Sequence, residues 1–237
     1  AKGQSEILMG DALREFKRED LVVTTKIYWG GNGPNDTGTS WKRLVEGTKN
    51  SLRRLKVEYV DVIYCHRYDP TTPIDETVRA MDQIIRSGQA FYWGTSEWPA
   101  EQIEEAYKIA SLLNCVPPAT EQPEYNMFER KKVEENYLPL YKNYGLGLTT
   151  WSPLASGILT GKYNNGIPKD SRLSHHEWLR QELTPDKIDR VKKLQTIAND
   201  LDCSLSQLSI AWCLRNPNVS TVILGATSVD QIEENMR

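Results

Sequence analysis

The stretch Tyr59–His66, read Tyr-Val-Asp-Val-Ile-Tyr-Cys-His, constrains the fold more than any other part of the chain. It is short, dense in β-branched and aromatic residues, and stops on a histidine. A run of that length reads as a strand buried on both faces. Leu21-Val-Val-Thr-Thr-Lys26 has the same build and stops on a lysine. Two buried parallel strands ending on ionisable groups predict an α/β enzyme, because in such folds chemistry collects at the carboxyl ends of the strands.

The segments between these runs carry helical periods. Residues 4–17 read as a helix with Leu8, Ala12 and Phe16 on its inward stripe. A helix over 40–55, capped by Ser40, turns Leu44, Val45, Thr48, Leu52 and Leu55 inward. Another over 75–87 carries Val78, Met81 and Ile85 and stops at Gly88. Ala90–Ser96 is a third strand, and Pro99 opens a helix to Leu113 with Ile103, Ala106, Tyr107 and Ala110 inward. Further strands are expected at 118–122, 147–151 and 219–224, and a helix at 129–144. Thr184-Pro185 starts a helix, and Ser204/Gln207 and Ser228/Gln231 read as capping boxes for two more. Ser152–Leu183 shows no period, and a long irregular segment in a compact domain is usually functional.

Strands recur about every 30 residues, the size of a βα unit. Six strands suit an open doubly wound sheet, whereas a (β/α)₈ TIM barrel needs eight. The chain opens on a helix and closes within one, so the favoured reading is one domain over 1–237: an incomplete barrel lacking its first two strands and its C-terminal end.

Hydrophobic residues make up 39% and charged residues 26%, which supports a packed core rather than disorder. The net charge is -3 with both signs dispersed, so no basic stripe for nucleic acid is expected. Cys65, Cys115, Cys203 and Cys213 form no CxxC pair and read as reduced thiols of a cytoplasmic protein. No apolar run approaches the ~18 residues of a membrane span, and the opening Ala1-Lys-Gly-Gln-Ser-Glu is not a signal peptide.

Taken alone, Lys26 reads as a lysine leaving the core for water, and His66 as a hydrogen-bonded structural histidine. Together, on strand ends facing one mouth, they suit proton delivery to a carbonyl. A lysine favours a nearby phenolate, and a neutral imidazole donates to a carbonyl oxygen as charge develops. Ser96, Gln122 and Trp151 also close strands. They suit a plate for a flat, amide-bearing ring, or ordinary polarity at a barrel mouth with one core tryptophan. Gly157–Lys162 is not a P-loop: the glycine spacing is one residue short and Tyr163 stands where Ser or Thr is needed. Gly30-Gly31-Asn32-Gly33 lacks the GxGxxG spacing. Backbone N–H groups of Leu154–Gly157, with Lys162 and Arg172, could still grip a pyrophosphate. His175-His176-Glu177 is not HExxH, and no metal site is expected there.

Five stretches then resemble the aldo-keto reductases: Thr24–Gly30, Tyr92–Trp98, Glu121–Tyr125, Trp151–Ala155 and Gly225–Asn235. The nearest branch is the one containing the voltage-gated potassium channel β subunits. The resemblance implies a (β/α)₈ barrel that binds NADPH/NADP+ without a Rossmann fold and reduces a small carbonyl substrate, an aldehyde or ketone. It implies Lys26 and His66 as two of four active-site residues, the Asp and Tyr being expected ahead of Ala1, which would make the chain a fragment. Animal channel β subunits carry Asn at the position of His66, so the histidine favours a working reductase. The resemblance sets the nicotinamide carboxamide by Ser96 and Gln122, with Trp151 on the ring. Ser152, Pro153, Leu154, Ala155 and Ser156 wrap the pyrophosphate, with Lys162 and Arg172 on phosphate charge. Gly225, Thr227, Gln231, Glu234 and Asn235 surround the adenosine. Many reductases have Lys near Gly225 and Arg at Gln231; their absence here leaves NADH open. Association with a cation channel and assembly into homo-oligomers are implied by the same kinship.

Overall fold

The computed structural model describes residues 3–237; Ala1 and Lys2, which open the stretch read for a signal peptide, lie outside the described residues. Two compact units emerge. One runs to Gln122 and takes back Tyr137–Gly147, and the other holds Pro123–Asn136 and Leu148–Arg237.

The first unit comprises α1 (Gln4–Ala12), β1 (Thr24–Ile27), α2 (Trp41–Leu55), β2 (Val60–Cys65), α3 (Ile74–Arg86), β3 (Ala90–Thr95), α4 (Ala100–Leu113), β4 (Thr120–Glu121) and α5 (Leu138–Tyr144). Its strands pair in chain order, each pair parallel. In α2 the Ser40 hydroxyl accepts from Arg43 N at 3.3 Å, and Leu44, Thr48, Ser51, Leu52 and Leu55 are buried. Four of the five residues of the expected stripe are thus buried, Val45 being only half-buried, and Ser51 joins them. Helix α4 buries Ile103, Ala106, Tyr107 and Ala110 as expected. Removing one such side chain typically costs about 2–5 kcal/mol.

Helix α1 corrects the sequence reading. It is shorter than 4–17, and its supposed inner stripe points outward: Leu8 is 70% and Phe16 61% exposed. The side against α2 is small and polar instead. A Cβ on Gly10 would lie 2.6 Å from the Leu55 carbonyl oxygen. Glu6, one turn earlier, pairs with Arg54 at 2.6 Å and accepts from Thr25 Oγ1 at 2.7 Å. Close backbone approach and an ion pair decided the facing, not the apolar period. The helix expected over 129–144 is likewise divided. A π turn spans Lys132–Asn136, and α5 starts afresh with Pro139 in its first turn, where a missing N–H costs nothing.

In the second unit, β5 (Gly147–Thr150) pairs from Leu148 onward with β6 (Val219–Val222), also parallel. The aperiodic segment resolves into short pieces: a 3₁₀ stretch Ala155–Thr160, α6 (Arg172–His175) and a 3₁₀ stretch Glu177–Glu182. These are held by a core of Ile158, Leu159, Tyr163, Leu173 and Leu179 against Val191 and Ala198 of α7 (Pro185–Asp200) and Leu205 of α8 (Leu205–Leu214). Ser204 and Gln207 form the expected capping box. At α9 (Val229–Asn235) only half of the expected box forms. Ser228 accepts from Gln231 N, while the Gln231 side chain turns to Thr227 N at 3.0 Å.

Parallel strands thus alternate with helices through the chain, which is the α/β pattern of a partial (β/α)₈ barrel. No helix among the described residues is long and apolar enough to cross a membrane.

Candidate active site

In the first unit, strand register sets the site. Ile27 pairs with Cys65, Cys65 with Thr95, and Thr95 with Glu121. Side chains alternate along a strand. This row faces the helices: a Cβ on Gly47 of α2 would stand 2.7 Å from Ile27 Cγ2. Thr95 Oγ1 donates to Glu121 Oε2, and the Tyr137 hydroxyl donates to the Trp98 carbonyl at 2.7 Å, with Glu121 Oε1 3.4 Å away.

The next residues, His66, Ser96 and Gln122, extend the ladder one step beyond each strand. His66 N donates to Ile27 O at 3.0 Å, Ser96 N to Cys65 O at 3.0 Å, and Gln122 N to Thr95 O at 2.8 Å. By alternation they face the opposite side, the side shared with Lys26 and its register partner Tyr64. Lys26 is therefore the penultimate residue of β1 rather than its end. Its Nζ stands 5.8 Å from the Tyr64 ring centre. Ser96 and Gln122 are buried, and Ser96 Oγ donates to the Gln122 carbonyl at 3.0 Å.

Burial, then the Arg67 guanidinium, holds the Lys26 ammonium below the usual lysine range. His66 is pushed down from 6.5 to about 4 by burial, then by Lys26 and Arg67. The imidazole is therefore neutral near pH 7 and carries one N–H donor and one acceptor. Lys26 acts on His66 electrostatically, so the two predicted groups share one neighbourhood.

Sequence reasoning missed the other members of this cluster. Arg67 Nη1 donates to the His66 carbonyl at 2.5 Å, and the Ser96 hydroxyl lies 3.5 Å from it. Its guanidinium lies over Trp29, 5.3 Å from the ring centre, and Trp29 meets the His66 ring edge-on at 4.8 Å. The signal available was positional: Arg67 follows directly on a strand-ending histidine.

In the second unit, Trp151 bridges to Glu124, donating its N–H to Pro123 O at 3.1 Å and accepting from Tyr125 N at 3.2 Å. Beyond it the backbone is unusual. Ser152, Ala155, Ser156 and Gly157 have φ of 56°, 44°, 57° and 91°. Leu154, at φ -99° and ψ 9°, directly precedes the left-handed Ala155. Such a right-to-left succession can form an anion-binding concavity, but here Ala155 N and Gly157 N donate inside the turn, to Ser152 O at 3.0 Å and Leu154 O at 2.8 Å. Left-handed non-glycine residues each cost on the order of 1 kcal/mol, and clusters of them mark functional turns. Buried Asn126, also missed, braces the turn, its Nδ2 donating to Ser152 O at 3.1 Å. Lys162 folds over it: a Cβ on Gly157 would fall 2.9 Å from Lys162 Nζ.

Arg172 is exposed, at the first position of α6 after the Ser171 cap. Gly225, Thr227, Gln231 and Glu234 are exposed and Asn235 half-buried. A Cβ at Gly225 would meet nothing. Thr227 and Gln231 are bonded to each other, and the Glu234 carbonyl accepts from Gln207 at 2.6 Å.

The model of the Aldo/keto reductase family matches residues 1–237. The chain is 58% identical to a protein of Arabidopsis thaliana named "Probable voltage-gated potassium channel subunit beta", over all of this chain and 74% of that protein. A protein of Oryza sativa subsp. japonica with the same name is 57% identical, with the same coverage.

Proposed function

This chain belongs to the aldo/keto reductase family, and from that membership we propose that it reduces aldehydes or ketones to alcohols with NADPH. The observation that carries the reading is the strand-end cluster: Lys26 and a neutral His66 on one face, beside buried Ser96 and Gln122. His66 donates its N–H to the substrate carbonyl oxygen and fixes its direction. Lys26 is half-buried, so its charge is less screened than in water and favours the deprotonated form of an adjacent phenol. On the family pattern that phenol is a tyrosine expected ahead of Ala1. Ser96 and Gln122 offer hydroxyl and amide partners to a carboxamide.

The cofactor fits the second unit's chemistry. The left-handed turn at Ala155–Gly157, braced by Asn126 and overlaid by Lys162, is assigned to a pyrophosphate, to which it offers the Ser156 N–H and one cation. Trp151, Ser152, Pro153 and Leu154 lead into it, and Arg172 and the Gly225–Asn235 segment are assigned to the remaining phosphate and adenosine. When bound, NADPH supplies the hydride, and the protein's part is position and field.

The test is NADPH consumption with benzaldehyde by the full-length protein. Lys26→Met keeps length and removes charge, and kcat/KM should fall about a hundredfold or more. Equal rates for the two proteins would refute the role given to Lys26.

A second reading comes from the names borne by the two plant relatives. The same protein would dock on a potassium channel as an NADPH-binding subunit, with slow turnover and self-association, in the cytoplasm. Co-purification with a channel, set against rapid multiple turnover without one, separates the two.

A further inference from the structure

Arg67 carries a charge that no carboxylate among the described residues pairs with. Arg18, Arg54, Arg86 and Arg130 each hold a carboxylate within 2.6–2.8 Å. Among the described residues no Asp or Glu forms an ion pair with Arg67 or Lys26. The guanidinium is half-buried, and a partly desolvated cation without a counter-ion is costly. Both of its bonds leave from Nη1, so the fork has donors to spare. It is held between the His66 carbonyl and the Ser96 hydroxyl, over the exposed Trp29 ring. Guanidinium geometry matches a carboxylate with two parallel hydrogen bonds. The indole offers an apolar wall to whatever joins that carboxylate to the rest of a ligand.

We propose that Arg67 forms an anion subsite beside the carbonyl held by His66, and that the preferred substrates are aldehydes or ketones bearing a carboxylate a few atoms away. This rests on the reductase reading of the same site. The subsite orients rather than reacts: Arg67 takes the substrate's carboxylate, and His66 takes its carbonyl oxygen. Arg67 also bears on both titrating neighbours, since its charge, after burial, disfavours protonated Lys26 and His66. A bound carboxylate offsets that charge.

The experiment compares 4-carboxybenzaldehyde with its methyl ester, using full-length wild type, Arg67→Gln and Arg67→Lys. The readout is the ratio of the two kcat/KM values. Wild type should favour the carboxylate, Arg67→Gln should lower the ratio about ten- to a hundredfold, and Arg67→Lys should fall between. A wild-type ratio at or below unity, or one that Arg67→Gln leaves unchanged, overturns the subsite while the reductase reading stands. A loss confined to NADPH affinity, with the ratio intact, overturns it too. Benzoate and benzamide binding, followed by tryptophan fluorescence, supplies the second arm. Benzoate binding that depends on Arg67 in a protein reducing neither aldehyde would retain the subsite and sink the reductase reading. Failure of both arms overturns both.

Discussion

His66 offers the sharpest check on how the site is built. Its imidazole stands at about 4 in the folded chain against 6.5 for the free side chain, through burial first and the charges of Lys26 and Arg67 next. At about 1.4 kcal/mol per pH unit, that gap is worth about 3 kcal/mol. The sign follows from proton counting. As pH falls, the unfolded chain takes up a proton near 6.5, while the folded chain resists until about 4. Between those values the unfolded state binds more protons, so stability rises with pH there and is lost on acidification. From about pH 7 to about pH 5 the expected loss is on the order of 2 kcal/mol. Glu6 acts in a lower window. Burial works upward on it, but hydrogen bonds from Thr25, Ser51 and Arg54, with the charge of Arg54, outweigh burial and hold the carboxyl below 4.5. The chain has three histidines, so imidazole resonances can be followed individually by NMR, with His66→Gln supplying the assignment. Urea unfolding at the two pH values reads the stability, and His66→Gln should flatten the difference. Lys26→Met or Arg67→Gln should raise the His66 pKa only part of the way, because burial is the largest cause. Titration of His66 near 6.5, or an undiminished pH slope in His66→Gln, would refute the reasoning.

Two further outcomes follow from close contacts. Gly94→Ala would put a Cβ 2.4 Å from the Thr120 carbonyl oxygen and 2.9 Å from Tyr64 Cε1. Since the first is backbone, a cost of about 1–3 kcal/mol is expected, read as a melting temperature lower by about 2–4 °C for each kcal/mol; an unchanged melt would contradict the packing of β2, β3 and β4. Gly157→Ala, at φ 91° and 2.8 Å from Lys162 Cε, should weaken NADPH binding in a fluorescence titration. Unchanged affinity would remove that turn from the cofactor's contacts.

The α/β class was legible because buried parallel strands announce themselves as short apolar runs between helical periods. That Lys26 and His66 share one neighbourhood was legible as well, although Lys26 is penultimate in β1 and His66 stands one residue past β2. Facing was harder to read. Leu8 and Phe16 follow an apolar period, yet α1 turns Glu6 and Gly10 toward α2, because an ion pair and a close backbone approach are not written in hydropathy. Arg67 escaped notice because its meaning lies in contacts with Trp29 and Ser96, each about 30 residues or more away in sequence. The turn at Ala155–Gly157 could be suspected from its glycine, but the left-handed conformations of Ser152, Ala155 and Ser156 were not foreseeable, since sequence alone favours them nowhere.

The separation of rows in the first unit has a consequence for how such a chain can change over time. Cys65, Thr95 and Glu121 face the helices, and His66, Ser96 and Gln122, one peptide further on, face the opposite side, to which the proposed chemistry is assigned. Point changes in the second set can redirect chemistry while the scaffold's own contacts persist. Deleting a single residue within β2 or β3 would instead swap the two roles, placing scaffold side chains in the mouth and mouth side chains against helices. Lineages built on this plan should therefore diversify by exchange at these positions and keep strand length fixed.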